Sequence, residues 1–204
     1  WRVANGIYDQ IKPRVIVLLI GINNLSNGFT PDEVAQGTKL LVEDIRAKIT
    51  PHTKGLVEQF GTDRIVDTPL AEIGMYGTAF GAAMEGFRPI VDFMFAGFFL
   101  NAAAPILAQT AQFRFIHGSQ MSLPLVITGA CGAGMRLGNE HAMLVHNMIA
   151  QVPGIKVCMP STPYDAKGLM TAAIRDDNPV VYIFHKGVLG LPWMVKNPRT
   201  LGDV

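Results

Sequence analysis

An α/β fold, a mainly parallel sheet with flanking helices, is what this sequence predicts. Three observations carry the prediction. Short apolar runs alternate along the chain with longer stretches that suit helices, the pattern of a layered sheet joined by helical crossovers. The runs are continuous rather than alternating, as in Val15-Ile16-Val17-Leu18-Leu19-Ile20, which suits strands covered on both faces. Of the 204 residues, 49% are hydrophobic and 16% charged, so a sizeable core is available and disorder is excluded.

Each element follows in order. The run at 15–20 is the first strand. Thr30 caps the next helix, Pro31 suits its first position and Glu33 completes a capping box. Val34, Leu41, Ile45 and Ile49 share one face of that helix, and Pro51 ends it. Residues 64–67 read as a short strand and 73–84 as a helix rich in Gly and Ala, closed by Gly86. A strand at 88–95 leads into a mostly apolar helix over 98–116. A strand at 123–128 runs into the glycine-rich loop 129–134, and a helix is expected over 141–151. Residues 156–160 form a strand, 162–175 a helix capped by Thr162, and 180–184 the last strand. The small residues Gly77, Gly81 and Ala82 let another backbone or a ligand approach the 73–84 helix closely, tight helix packing being the preferred account.

Charge and cysteine content exclude several classes. Lys and Arg number 17 and Asp and Glu 16, a net charge of +1 with no basic run, so no nucleic-acid partner is expected. Cys131 and Cys158 lack the spacing of a zinc site or a disulfide scaffold. Residues 89–108 are apolar enough to suggest a membrane span, but Asp92 and Pro105 interrupt them, and a strand followed by a buried helix is expected instead. The chain opens on Trp1 and stops at Val204 as though cut at both ends, with no signal segment in view.

Two stretches carry family likenesses. The segment Trp1 to Gly6, the strand ending at Ile20 and the turn Gly21-Ile22-Asn23-Asn24 resemble the central part of SGNH (GDSL-type) hydrolases of the platelet-activating-factor acetylhydrolase group. The resemblance implies a strand-helix fragment of a flavodoxin-like SGNH fold, with Asn23 in the position of an oxyanion-hole donor. That family also needs a Gly-Asp-Ser nucleophile block and an Asp-x-x-His pair, and this sequence has neither. Asn23 is therefore expected to be a relic.

From about residue 53 the likeness changes. Thr53-Lys54-Gly55-Leu56-Val57-Glu58-Gln59-Phe60-Gly61, Asp67-Thr68-Pro69-Leu70-Ala71-Glu72 and Gly81-Ala82-Ala83-Met84-Glu85-Gly86-Phe87-Arg88-Pro89-Ile90-Val91 occur in this order. Pro153-Gly154-Ile155-Lys156-Val157 and Pro160-Ser161-Thr162-Pro163-Tyr164-Asp165-Ala166-Lys167-Gly168-Leu169 follow. Together they resemble the pyrimidine-binding domain of the beta subunit of 2-oxo-acid (pyruvate- and acetoin-type) dehydrogenases, in the transketolase superfamily. The resemblance implies a thiamine-diphosphate-binding fold and a beta subunit active in oxidative decarboxylation. Glu72 would bond the aminopyrimidine ring of thiamine diphosphate, Met94 and Phe98 would pack on it, and His141 would lie over the reacting centre. It further implies Mg²⁺ and the diphosphate held by an alpha subunit, acyl transfer to a lipoyl-bearing acyltransferase, and a cytoplasmic location.

Three departures from the family pattern stand out. Ala104-Pro105 replaces Asp-Gln, Glu140-His141-Ala142 replaces Gln-His-Ser, and the SGNH-like piece stands where the domain's first helix and strand would be. Residues 1–54 are thus expected to be an SGNH-hydrolase-like fragment and 55–204 a pyrimidine-binding domain, a chimera in which the 15–20 strand is the candidate for the lost strand's place in the sheet. Gly129, Gly132, Gly134 and Gly138 do not match a dinucleotide fingerprint and are read as a loop leading to His141. His141 and His146 are five residues apart, not the four of a helix-borne metal pair, and no metal site is expected on this chain. The remaining histidines, His52, His117 and His185, read as loop or strand-end residues.

Overall fold

The computed structural model describes residues 55–133 and 138–189 and, as backbone, the strand at 17–20. Its strands are β1 (Val17–Ile20), β2 (Ile65–Thr68), β3 (Ile90–Phe95), β4 (Val126–Cys131), β5 (Lys156–Cys158) and β6 (Val180–His185). They form one sheet in the order β2-β1-β3-β4-β6-β5, and every neighbouring pair runs parallel. Val17 faces Ile65 on one side and Ile90 on the other, so β1 lies inside the sheet rather than beside it. The helix expected over 31–49 and the turn holding Asn23 lie outside the described residues.

Helices α1 (Leu56–Phe60), α2 (Glu72–Met84), α3 (Ala111–Ile116), α4 (His146–Ala150) and α5 (Pro163–Arg175) flank the strands. Every residue of β3 and β4 is buried, as their continuous apolar runs require. Side chains alternate between two apolar clusters. Val91, Phe93, Ile127 and Ile183 join one with Tyr76 and Phe113, while Ile90, Val126, Val180 and Tyr182 join the other with Leu56 and Ile174.

Three elements differ most from their sequence-based expectation. The strand expected at 123–128 begins at Val126 and reaches Cys131, because Pro124 has no N–H for the ladder and Leu125 N–H turns back to Leu123. The helix expected over 98–116 is a 3-10 segment (Ala96–Ala102), then a π-helical turn (Pro105–Thr110), then α3. Pro105 cannot donate to the preceding turn, and the widened ladder absorbs the gap. The helix expected over 141–151 shrinks to a 3-10 turn (Glu140–Ala142) and α4, since the His141 and Ala142 carbonyls are taken by Lys186 and by Gly132 N–H.

Local capping agrees better with the sequence. Thr162 Oγ1 accepts Asp165 N–H at 3.1 Å and caps α5, as expected. The glycines of α2 do not serve tight packing within the described residues: a Cβ at Gly77 or Gly81 would meet nothing within 4 Å. Residues 89–108 are β3 and the two irregular turns after it, and among the described residues no helix is long and apolar enough to cross a membrane.

The far end of α5 is held by Arg88, which enters β3. Its Nη1 donates to the carbonyls of Ile174 at 3.0 Å and Asp176 at 2.9 Å, and Nη2 pairs with Asp177. A cation that satisfies two terminal carbonyls also complements the helix dipole. Arg88→Ala is expected to destabilise the chain by about 2 kcal/mol, the scale of hydrogen bonds to a charged group, measured as a lowered urea midpoint with an unchanged slope.

Candidate active site

All six strands point the same way, so the segments leaving their C-terminal ends gather along one edge of the sheet. The shape of that edge starts with a bulge in β3. Asp92 faces Thr128 and Phe95 faces Ala130, so Phe93 and Met94 on β3 stand against Gly129 alone on β4. Met94 takes a left-handed φ of 65°, and its N–H donates to Asp92 Oδ1 at 2.9 Å. That bond holds a backbone that a Met does not favour. The bulge also crowds Gly129: a Cβ there would lie 3.0 Å from Ala96 N and 3.1 Å from Phe99 Cε1.

The 3-10 segment that leaves the bulge is seated directly on the Glu140–Ala142 turn. A Cβ at Gly97 would lie 2.4 Å from the Glu140 carbonyl oxygen, so only glycine permits this approach. Phe98 thereby meets the His141 ring edge-on, with centroids 5.4 Å apart, and Phe95 meets it at 4.7 Å. Three residues on, Asn101 is near-eclipsed with Phe98 along the 3-10 axis. Its Nδ2 donates to Glu72 Oε1 at 3.0 Å. Glu72 is the first residue of α2, where the helix dipole favours a carboxylate. The half-buried acid stands between exposed Leu70 and Ile73.

Glu72, Phe98 and His141, three of the residues singled out from sequence, thus fall into one row joined by Asn101. Met94 is placed deeper: it is 8% exposed, within the apolar cluster on which Phe98 packs. Asn23 lies outside the described residues. His141 Nδ1 is buried without a hydrogen-bond partner, as is His146 Nδ1. Among the described residues no three His, Cys, Asp or Glu side chains converge as metal ligands would.

Two residues of the site escaped sequence reasoning. Asn101 carries a detectable signal, its i+3 spacing from Phe98, but only once that stretch is known to be 3-10 rather than α-helical. Lys186 follows the last strand and is 2% exposed, a position where sequence suggests a solvated lysine. Its Nζ donates to the His141 carbonyl and lies 5.4 Å from the centroid of the Phe95 ring. Burial lowers its pKa, with the neighbouring Cys131 opposing the shift. His185 packs over Gly132, whose left-handed φ of 84° would in any case exclude a side chain, and a Cβ there would fall 2.0 Å from His185 Nε2.

Comparison with known proteins bears on the family and the fold. Residues 36–192 match the family described as the transketolase pyrimidine-binding domain, and the chain belongs to that family. It is 41% identical over 159 residues to the 2-oxoisovalerate dehydrogenase subunit beta of Bacillus subtilis, a match that covers 76% of this chain and 49% of that protein. To the pyruvate dehydrogenase E1 component subunit beta of the same organism it is 44% identical, over 65% of this chain and 41% of that protein. The chain therefore spans less than half the length of these relatives. Among solved structures, a split-gene transketolase, described as an inactive beta4 tetramer, superposes with a TM-score of 0.54 at 18% identity, over 88% of this chain and 48% of that one. A Mycobacterium smegmatis protein described as a putative thiamin diphosphate-dependent enzyme gives 0.51 at 13% identity, over 88% and 30%. Both show the fold.

Cys131 ends β4 beneath this site. Burial pushes its thiol up to about 11, although Lys186 pulls it partway back. The nucleophilic thiolate is therefore scarce at neutral pH. Thiol-reagent titration of the folded chain should leave Cys131 unmodified, and unfolding in denaturant should expose it to full reaction.

Proposed function

We propose that this chain is the pyrimidine-binding part of a thiamine-diphosphate-dependent 2-oxo-acid dehydrogenase beta subunit. The observation that carries the proposal is the Glu72 carboxylate, held by Asn101 at the head of α2 in one row with the Phe98–His141 aromatic wall. The donor set suits an aminopyrimidine. Asn101 occupies Oε1 and leaves Oε2 to meet a ring nitrogen, Phe98 offers a π-face, and the orphaned His141 Nδ1 points to a missing polar partner. The identities of 41% and 44% to two dehydrogenase beta subunits support the same reading.

Bound thiamine diphosphate supplies the electron sink for decarboxylating a 2-oxo acid. The chain's own residues bind and orient. Glu72 would hold the aminopyrimidine and exchange a proton with it at Oε2. Phe98 would pack on the ring, with Met94 supporting Phe98 from the core, and His141 would lie near the reacting centre. In this proposal an alpha subunit holds Mg²⁺ and the diphosphate in the cytoplasm, and a lipoyl-bearing acyltransferase receives the acyl group. Residues 1–54 are read as an SGNH-like piece on the strength of the Gly21–Asn24 motif, joined to a pyrimidine-binding domain at 55–204. The position of β1 within the sheet is compatible with a junction that keeps the sheet continuous.

The decisive variant is Glu72→Gln in a complex with a dehydrogenase alpha subunit. Gln keeps a hydrogen bond but cannot carry the proton, so thiazolium C2 proton exchange, followed by NMR, should slow by roughly 10²–10⁴ while cofactor binding largely persists. Unchanged exchange would overturn the role given to Glu72. Phe98→Ala should behave in the opposite way. It removes ring packing worth about 1 kcal/mol, so calorimetry should show cofactor affinity about fivefold weaker in the same complex, with the exchange rate of the bound cofactor retained.

A further inference from the structure

The lysine after β6 is harder to explain than any other side chain near the site. A buried ammonium is costly unless strongly paired, and an apolar residue of similar volume is often as stable or more so. Lys186 is 2% exposed, and among the described residues no carboxylate pairs with it. Its partners are the His141 carbonyl and the face of Phe95. Those two contacts bear on the same residue from two sides. One fixes the His141 backbone, and the other steadies the ring against which the imidazole edge packs at 4.7 Å. The next carbonyl along, that of Ala142, is held by Gly132 N–H at 3.2 Å, and Gly132 in turn is roofed by His185. The segments that follow β4 and β6 therefore hold the His141 and Ala142 carbonyls of the turn.

We infer that Lys186 is a positioning residue, which sets the place and orientation of the His141 ring at the edge of the sheet. The inference takes what His141 does there from the function proposed above, but the positioning itself can be read without any cofactor. Two donors from outside the turn, Lys186 Nζ and Gly132 N–H, take the consecutive carbonyls of His141 and Ala142 in place of the bonds that a continuous helix would have provided. A short 3-10 turn has little rigidity of its own, so its orientation comes from these outside contacts.

The test uses the full chain, ¹⁵N-labelled at its five histidines, with the His141 signals assigned by their loss in His141→Gln. Lys186→Met keeps the volume and removes both the charge and the donor. Its thermal midpoint should stay near that of the parent or rise, while the His141 ring signals shift and broaden. Lys186→Gln retains an N–H donor and should restore the signals in part. In the complex with an alpha subunit, Lys186→Met should lower kcat by about ten- to a hundredfold, the scale for a catalytic group misplaced by about 1 Å, with a smaller change in KM. His141 signals unchanged in Lys186→Met would overturn the inference, as would unfolding of both variants, which would make Lys186 a stability residue. Shifted signals with full dehydrogenase activity would leave the positioning standing and overturn the role assigned to His141.

Discussion

One backbone distortion organises the functional edge of this protein. Met94 sits at a left-handed φ of 65°, inside a strand whose every residue is buried. The Asp92 carboxylate, itself 2% exposed, keeps it there by accepting the Met94 N–H. The extra residue turns the chain out of the sheet at Phe95 and launches a 3-10 segment instead of an α-helix. Everything beyond depends on that exit: Gly129 is closely crowded by it, Gly97 must be glycine to meet the Glu140–Ala142 turn, and Phe98 and Asn101 come to share a face. Strain of this kind persists only where surrounding packing enforces it, and it lies here at the C-terminal edge of the sheet.

The electrostatics of the site follow from where its charges lie. Glu72 is half-buried, at the positive end of a 13-residue helix, and receives an amide donor. Both influences hold the side chain in a defined place at the C-terminal edge of the sheet. Lys186 is the opposite case, a cation taken almost wholly out of water and satisfied by a carbonyl and a π-face rather than a counter-charge. The two charges serve different ends. The acid remains accessible to a ligand, whereas the lysine is spent on holding protein to protein. Cys131 beside it stays a neutral thiol under the same burial.

Family membership and geometry are complementary here. The family match covers residues 36–192, and β1, upstream of that span, pairs with both β2 and β3. The strand order β2-β1-β3 places a change of direction between β1 and β3, the kind of crevice where open parallel sheets bind ligands. Phe98, Asn101 and Glu72 all lie on segments that leave β2 or β3 at this edge.

Much of the fold was legible in the residues. Continuous β-branched runs located the strands, Thr162 marked the start of α5, and alternation of elements implied parallel pairing, because these signals are local and repeat with a period. Glu72, Met94, Phe98 and His141 stand out only through the family resemblance, and the fold brings Glu72, Phe98 and His141 to one edge of the sheet. What the sequence could not settle were features decided by groups distant in the chain. Pro105 announces a break but not that a π-helical turn will absorb it. Residues 129–134 read as a loop, yet 129–131 continue the strand, paired with β6, and the bulge 35 residues before Gly129 crowds that position. The 141–151 helix was lost to Gly132 and Lys186, which take its carbonyls from across the sheet. Lys186 itself looks like a solvated lysine until the tertiary structure closes over it. Local propensity and periodicity determined the elements; burial and non-local hydrogen bonding, which no short window of sequence contains, decided how the cleft is built.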